Sequence, residues 1–335
     1  MEKIICFECE TINKYEMRKI LRKYEGEGYA FELEVEIPFC PKCGRPLASE
    51  AIEEKIRERA NAVIREQRNI ITKEEIREIL DKYNTSQKFL SKLLDWGDIT
   101  LTRYITGNYT PNRENSNKLK SLTNPYVFQN LLNLKCLETN DAIREEKSFE
   151  KAQNKVNSEF QKMEQESSKI FSVINWFLAQ SSEELAITHL ALEKLIYFVQ
   201  SWSVALNGEW MFEDDCQAWA HGAVYPEVYE VFKGFGYRPL PKVNSEIILN
   251  DNDIEILNIV KTYYYDIYNA RTLERICHLE EPYKEARKGY LDGQVCQEII
   301  NKEQIKNYYR MVAQKYNISL ENTSGVREYL NHILG

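Results

Sequence analysis

Hydrophobic positions along this chain repeat with two different periods, and the change of period divides it. Residues 29–37, YAFELEVEI, alternate apolar and largely acidic side chains, which puts Tyr29, Phe31, Leu33, Val35 and Ile37 on one face of a half-buried strand. Residues 25–28, Glu-Gly-Glu-Gly, offer a turn before it, so residues 15–24 are expected to be its antiparallel partner. Beyond residue 50 the period becomes helical. Ile52, Ile56, Val63 and Ile64 lie at helical spacing in a charge-rich connector over residues 50–68, and Thr72 with Glu75 forms a capping box for the next helix. Ile76, Ile79 and Leu80 supply the first helix of a bundle, Leu119, Leu122, Leu131 and Leu132 its later ones, and Pro125 stands at a helix start.

The most informative stretch is residues 86–107, SQKFLSKLLDWGDITLTRYITG, which reads as two short helices crossing at a tight turn. Ser86 is a good N-cap, and Phe89, Leu90, Leu93 and Leu94 give the first helix one apolar face. Ser91 is small enough to let a second helix cross closely. The segment 95–98, Asp-Trp-Gly-Asp, breaks the pattern; Asp98 is expected to cap a second helix that turns Ile99, Leu101 and Tyr104 inward, and Gly107 with Asn108 stops it. Thr100, Thr102 and Arg103 are left facing outward, hydroxyls and a guanidinium that reach base edges in a major groove. Gln87, Lys88 and Arg113 complete the candidate DNA contacts. The competing reading is a plain helical hairpin with solvated Thr and Arg.

From 138 to 169 apolar residues thin out and charge dominates, as in a solvated helix or spacer. Beyond residue 170 helical periodicity returns. Leu192, Leu195, Ile196 and Val199 fall on one helical face, Trp210, Phe212, Trp219, Tyr225 and Tyr229 follow among Gly208, Gly222 and Pro226, and Ile254, Leu257 and Tyr264 begin another helical set. These aromatics fit either a core or a binding surface.

Composition refines this picture. A chain of 335 residues with a 43% hydrophobic share supports two or three folded domains. The expected fold class is mainly α, with a small zinc-stapled β-hairpin module (1–49), a helical connector and helix-turn-helix bundle (50–137), a charged helical linker (138–169) and a mostly helical C-terminal domain (170–335). The formal net charge of -8 excludes a polycation that coats nucleic acid, so any DNA contact must be local. Residues 70–122 carry nine Lys and Arg against seven Asp and Glu, a small basic excess in an acidic chain. No apolar run approaches a membrane span, and too few apolar residues precede Glu8 for a signal-peptide core, so a cytoplasmic protein without a membrane partner is expected.

The eight cysteines are best read by spacing. Cys6-x-x-Cys9 and Cys40-Pro-Lys-Cys43-Gly44 form two knuckles, each able to point two thiolates at one ion. Four thiolates fill a tetrahedral site, leave no position open for substrate, and so imply one structural zinc ion per chain. Disulfides or free thiols are the alternative. In the C-terminal half, His189, His221 and His278 lie near Cys216, Cys277, Asp214 and Asp215 in sequence. Their spacings match no zinc or triad signature, and adjacent Cys277 and His278 cannot face each other as nucleophile and base on a helix. No enzymatic activity is expected.

Three resemblances follow from these residues. The stretch 86–107 resembles the Cro/XRE-type helix-turn-helix, most closely the form in MqsA-type antitoxins, with Asp95 where that family usually has Gly and Ile105 where it usually has Glu. The N-terminal region ending in VEIPFCPKCGRPL resembles the YgiT-type zinc finger of the same antitoxins, where the zinc module serves folding and, in some members, toxin binding. Residues 188–197 (THLALEKLIY), 218–229 (AWAHGAVYPEVY) and 277–287 (CHLEEPYKEAR) resemble the Panacea, or SocA-like, domain. Ala223, Cys277 and Tyr283 stand where that family favours Pro, Thr and Trp. The resemblance implies an antitoxin of a type II system whose C-terminal domain neutralises a protein toxin encoded by an adjacent gene, and whose helix-turn-helix binds promoter DNA as a homodimer and autoregulates. Trp210, Trp219, His221, Tyr225 and Tyr229 are then the candidate toxin contacts. The alternative is a stand-alone transcriptional regulator or proteolytic adaptor with a partner-sensing C-terminal domain.

Overall fold

The computed structural model describes residues 4–26, 29–107, 109–166, 169–244 and 247–335. Glu27 and Gly28 of the expected turn and Asn108 of the expected helix stop lie outside these. The chain divides into two compact units, Met1–Ile79 with Asp98–Lys120, and Leu80–Gly97 with Ser121–Gly335.

In the first unit β1 (Ile4–Cys6) pairs antiparallel with β2 (Thr11–Asn13), and β3 (Glu16–Gly26) pairs antiparallel with β4 (Tyr29–Phe39) from Glu16 opposite Phe39 to Gly26 opposite Tyr29. The alternation in β4 is the one the sequence implies: Val35 and Ile37 are buried, Glu32, Glu34 and Glu36 exposed. Helix α1 (Glu50–Gln67) lays Ile52 and Ile56 on that face. It is fastened there by a bidentate pair, Arg22 donating to both carboxylate oxygens of Glu53 at 2.8 and 2.7 Å, which holds Glu53 below the usual carboxylate range. Ahead of α2 (Lys73–Lys82) the capping box forms as read, with Thr72 N–H donating to Glu75 at 2.7 Å and Glu75 N–H to the Thr72 hydroxyl at 3.1 Å.

Helix α3 (Gln87–Leu93) falls in the second unit, whereas α4 (Thr100–Thr106) and most of α5 (Arg113–Ser121) fall in the first. Ser86 caps α3 by accepting from Phe89 N–H at 3.1 Å, and Ser91 is fully buried, as expected. Asp95 adopts φ +58°, the left-handed conformation that favours Gly, and its carboxylate pairs with Lys135. Gly107 ends α4 at φ +81°. Two details differ. Asp98 does not cap α4: the helix begins after Ile99 with no side-chain cap, and Ile99 is exposed. Ile105 takes its place among the apolar contacts at 7% exposure, which explains how an aliphatic residue is accommodated there.

The second unit is built around one buried helix. After α6 (Pro125–Glu138) and α7 (Lys147–Glu166), α8 (Ile170–Gln180) leads into α9 (His189–Leu206), whose N-cap Thr188 accepts from Ala191 N–H. Fifteen of the eighteen residues of α9 are buried, so its apolar positions do not form the single face expected for Leu192, Leu195, Ile196 and Val199. A two-residue hairpin joins β5 (Gln217–Trp219) to β6 (Gly222–Val224), followed by α10 (Pro226–Phe232), α11 (Asp251–Val260) with a π-helical turn at Lys261–Tyr265, α12 (Ala270–Leu279), α13 (Glu281–Ala286), α14 (Lys302–Lys315) and α15 (Gly325–Leu334). Helices α8, α10, α11, α12 and α14 and strand β6 all pack on α9. The charged stretch before α8 is more than a spacer: Phe149, Ala152, Val156 and Phe160 of α7 are buried, because a narrow apolar stripe suffices to dock an otherwise charged helix. On α6, the Tyr126 ring lies 4.7 Å from Phe160 and 4.6 Å from Phe232, and its hydroxyl donates to Asn175 at 2.8 Å. Among the described residues no helix is long and apolar enough to cross a membrane.

Glu280 lies fully buried at the junction of α12 and α13. It accepts hydrogen bonds from Tyr197 at 2.9 Å, Tyr309 at 2.7 Å and Tyr329 at 2.8 Å, joining α9, α14 and α15 at one carboxyl. Burial pushes this carboxyl up to about 7 against the opposing effect of the three hydroxyls. The folded state therefore binds a proton that the unfolded state releases near the ordinary glutamate value of 4.5. The stability contributed is complete below that value and is lost as pH rises through about 7. Glu280→Gln should flatten thermal stability between those limits. Glu280→Ala, which strands the Tyr197 and Tyr309 hydroxyls and leaves that of Tyr329 only Tyr308, should cost about 3 kcal/mol or more by denaturant titration. A pH profile unchanged by Glu280→Gln would contradict this account.

Candidate functional site

The chain brings together two constellations, one in each unit. In the first, β1 supplies Cys6, the following turn Cys9, and the loop after β4 Cys40 and Cys43. The four sulfurs all lie within 4.8 Å of one another, with Cys6 and Cys43 at 3.6 Å, and none is in a disulfide. Four thiolates about 2.3 Å from a common ion stand about 3.8 Å apart, so the set fits a tetrahedral metal. The backbone explains the knuckle: Gly44 takes φ +71° and donates to Cys40 O at 2.8 Å, while Cys40 N–H donates to Arg45 O at 2.9 Å. Backbone N–H groups of Cys43 and Lys42 pull the Cys40 thiol down to about 6, and the hydrogen bond with Cys43 pushes Cys9 up to about 12. Burial of Cys6, Cys40 and Leu47, with Ile4 and Tyr15 against them, is too small a core to hold this module by itself.

The second constellation grows from α9. Glu193 and Lys194 are buried in the middle of an apolar helix and must find partners. Glu193 accepts from Tyr225 N–H at 2.9 Å and faces His189 Nε2 at 3.2 Å. Lys194 donates to Ala223 O, so both charges bind the β5–β6 hairpin and the residue after it. A Cβ on Gly222 would stand 2.5 Å from Lys194 Cε, and its φ is +95°, so only glycine fits. That fixes the two-residue turn at Ala220 and His221, and His221 Nδ1 then meets Glu274 at 2.9 Å, with Arg271 on the other carboxylate oxygen at 2.9 Å. Those two partners hold Glu274 below the usual carboxylate range against the opposing effect of burial.

A cavity of about 460 Å³ opens beside this hairpin. Trp219 and Tyr229 form its aromatic wall with rings 4.7 Å apart, and the His189 ring lies tilted against Tyr229 at 5.2 Å. Leu190, Val224, Tyr237 and Val295 extend the apolar lining, and His221, Lys233 and Arg271 stand at the mouth. Of the five residues marked in the sequence as toxin contacts, Trp219, His221 and Tyr229 meet here. Trp210 is half-buried but does not line the cavity. Tyr225 is 2% exposed, its ring 5.5 Å from Phe212, and serves the core; an aromatic between a strand and a helix start reads the same in sequence whichever way it turns. Glu193, Lys194, Arg271, Glu274 and Val295 escaped the sequence reading, although two adjacent charges inside an apolar helix signal the first two.

The residues weighed as an enzyme site have the following surroundings. Burial pushes the Cys216 thiol well up and Cys277 up to about 12, the wrong direction for a nucleophile or ligand. His278 is stacked on Tyr283 at 4.7 Å, its Nε2 buried and without a hydrogen-bond partner among the described residues, and burial pushes its pKa down. Asp215 pairs with Lys302 at 3.0 Å.

Residues 192–284 match the family model for the antitoxin SocA-like, Panacea domain. The match takes in α9 from its fourth residue, the hairpin, α10 to α12 and Glu280, and covers a little over a quarter of the chain. No curated protein and no solved structure matches the chain. The Panacea match supports an antitoxin role in general and a toxin as partner.

The candidate DNA contacts are distributed over the two units. Gln87 and Lys88 open α3 in the second unit; Thr100, Thr102 and Arg103 on α4 and Arg113 on α5 belong to the first. Thr102, Arg103 and Arg113 are exposed, Thr100 is half-buried, and the Arg103 guanidinium lies 5.9 Å over the Tyr109 ring.

Elemental analysis of the purified chain should return about one metal ion per molecule, and Cys40→Ser should release it and unfold the hairpin module. Amide exchange would then rise over residues 4–39 and stay unchanged over α9. A metal-free protein with an unaltered melting profile would refute this. Gly222→Ala should destabilise the second unit by about 2 kcal/mol or more through contact with Lys194, read by denaturant titration.

Proposed function

We propose that this chain is the antitoxin of a type II toxin-antitoxin system, neutralising a toxin encoded next to it by direct binding through the cavity face of its Panacea domain. The observation that carries this reading is the convergence of Trp219, His221 and Tyr229, all three within the matched segment, at one open cavity. Half-buried aromatics around a concave site are what a protein hot spot requires. In the same reading the four cysteines hold a structural zinc ion. The helix-turn-helix of residues 86–107, as a homodimer in the cytoplasm, reads a palindromic operator in the protein's own promoter. The domain arrangement is that of the sequence reading: zinc module, DNA-binding bundle, charged helix and neutralising domain. No catalytic role is assigned to any residue.

One observation favours a second reading. The cavity has the size of small-molecule sites, which suits a regulator whose C-terminal domain senses a ligand, with no toxin partner. Co-expression with the product of the adjacent reading frame separates the two. The full chain is the right reagent, because Tyr126 of α6 packs on Phe232 and bonds Asn175, contacts that a fragment beginning near residue 168 would lose. Wild type should restore growth. Trp219→Ala should abolish rescue while circular dichroism and melting stay near wild type; loss of fold would instead place Trp219 in the core. Absence of a toxic neighbour, or rescue by residues 1–137 alone, would overturn neutralisation by the Panacea domain.

For the DNA arm, Arg103→Ala should cost about 1–3 kcal/mol of operator binding and leave random DNA unaffected if Arg103 reads a base. Equal loss on both would make it a phosphate contact.

A further inference from the structure

The charges around the cavity are sorted by depth. Glu193 and Lys194, the inner charges among the lining residues, are both buried and engaged: Glu193, its side chain 3% exposed, by His189 and Tyr225 N–H, and Lys194 by Ala223 O. At the mouth, Lys233, Arg271 and His221 have side chains 51%, 66% and 71% exposed. Neighbouring acids temper this field: Glu230 pairs with Lys233, and Glu274 with His221 and Arg271, although Glu274 itself is only 10% exposed. An apolar, aromatic-walled interior thus opens through a donor-rich mouth where the exposed Arg271 guanidinium and His221 ring cover the nearly buried Glu274, in a chain whose net charge is -8.

The remaining wall comes from outside the matched segment. Arg287 fastens the loop after α13 by donating to Ala218 O at 2.9 Å, Leu291 O at 3.2 Å and Gln294 O at 2.8 Å. Ala218 N–H donates to Glu298 O at 2.8 Å, which ties the far end of the loop to β5. Val295 is thereby held at the cavity edge, 79% exposed, and Tyr237, another lining residue, is 88% exposed.

We infer that the cavity is a socket for an aromatic side chain of the protein partner, with a partner carboxylate beside it pairing with Arg271 and Lys233, and that Val295 sets the fit. This rests on the partner-binding reading above and adds the chemistry of what is bound.

The test is selection of displayed random short peptides on the full-length chain. Enriched peptides should carry Trp, Phe or Tyr next to Asp or Glu. Arg271→Glu with Lys233→Glu should weaken the best peptide about tenfold or more, and reselection on that variant should favour Lys or Arg beside the aromatic. Val295→Asp should weaken the same peptide with an unchanged melting profile. Lys233→Glu alone serves if the double variant fails to fold. No enrichment, enrichment of basic neighbours on wild type, or affinities unaltered by both charge reversals would overturn the proposal. So would saturable quenching of tryptophan fluorescence by indole acetate in a chain that enriches no peptide, which would make the cavity a small-molecule site. The growth assay keeps the two readings apart. Rescue undiminished by the charge reversals removes the socket and leaves neutralisation standing; peptide selection as expected with no rescue by wild type removes neutralisation and leaves the socket.

Discussion

A helix buried on every side has no outer face on which to place polar residues, and the second unit depends on how α9 meets that constraint. Glu193, Lys194, Tyr197, Gln200 and Trp202 all lie inside. Each is satisfied by a different neighbour: Tyr225 N–H, Ala223 O, the Glu280 carboxyl, Met211 N–H and the Tyr264 hydroxyl. Since a buried polar group left unpaired costs about 1–3 kcal/mol, these partners cannot drift independently of the helix. The hairpin, the loop at Met211 and Phe212, the π-helical turn and the start of α13 are all positioned by side chains of one helix.

The same constraint accounts for the spacing of the sequence blocks. Residues 188–197 contribute the buried charges, 218–229 the backbone groups that receive them, and 277–287 the carboxyl that gathers three tyrosines. Glu280 then carries the constraint past the matched segment, because Tyr309 and Tyr329 belong to α14 and α15. The last two helices are thereby tied to α9 through one shared acceptor as well as through apolar contact.

Local chemistry was legible wherever it is decided within a few residues. The Ser86 cap, the Thr72–Glu75 capping box, the helix stop at Gly107 and the paired cysteines all stand as the sequence implied, because each depends on conformations or ligand geometry set nearby. Orientation across elements was not legible. Ile99 looked like an inward residue and is exposed, since it precedes the first turn of α4 and escapes the helical period. Four buried residues dock α7 although its composition is that of a solvated helix, and Tyr225 and Tyr229, four apart, divide between core and cavity. The cavity itself draws residues from α9, the hairpin, α10, α12 and a loop near residue 295, a combination that no sequence period encodes.

The geometry at the hairpin shows why a rigid core and an adjustable surface can coexist in this domain. Lys194 requires Ala223 O and excludes any Cβ at Gly222, so the path of the turn is fixed from beneath. The mouth is not fixed in the same way: the side chains of His221 on the turn, and of Lys233, Tyr237, Arg271 and Val295 on neighbouring elements, are exposed. Changes at these positions alter the charge and shape offered to a partner while leaving α9 and its partners in place, whereas changes at Glu193, Lys194 or Glu280 undo the framework first. Under the proposed partner-binding reading, partner choice and fold stability therefore fall to different residues of neighbouring elements. That separation is what a domain needs if one scaffold is to present different mouths to different partners.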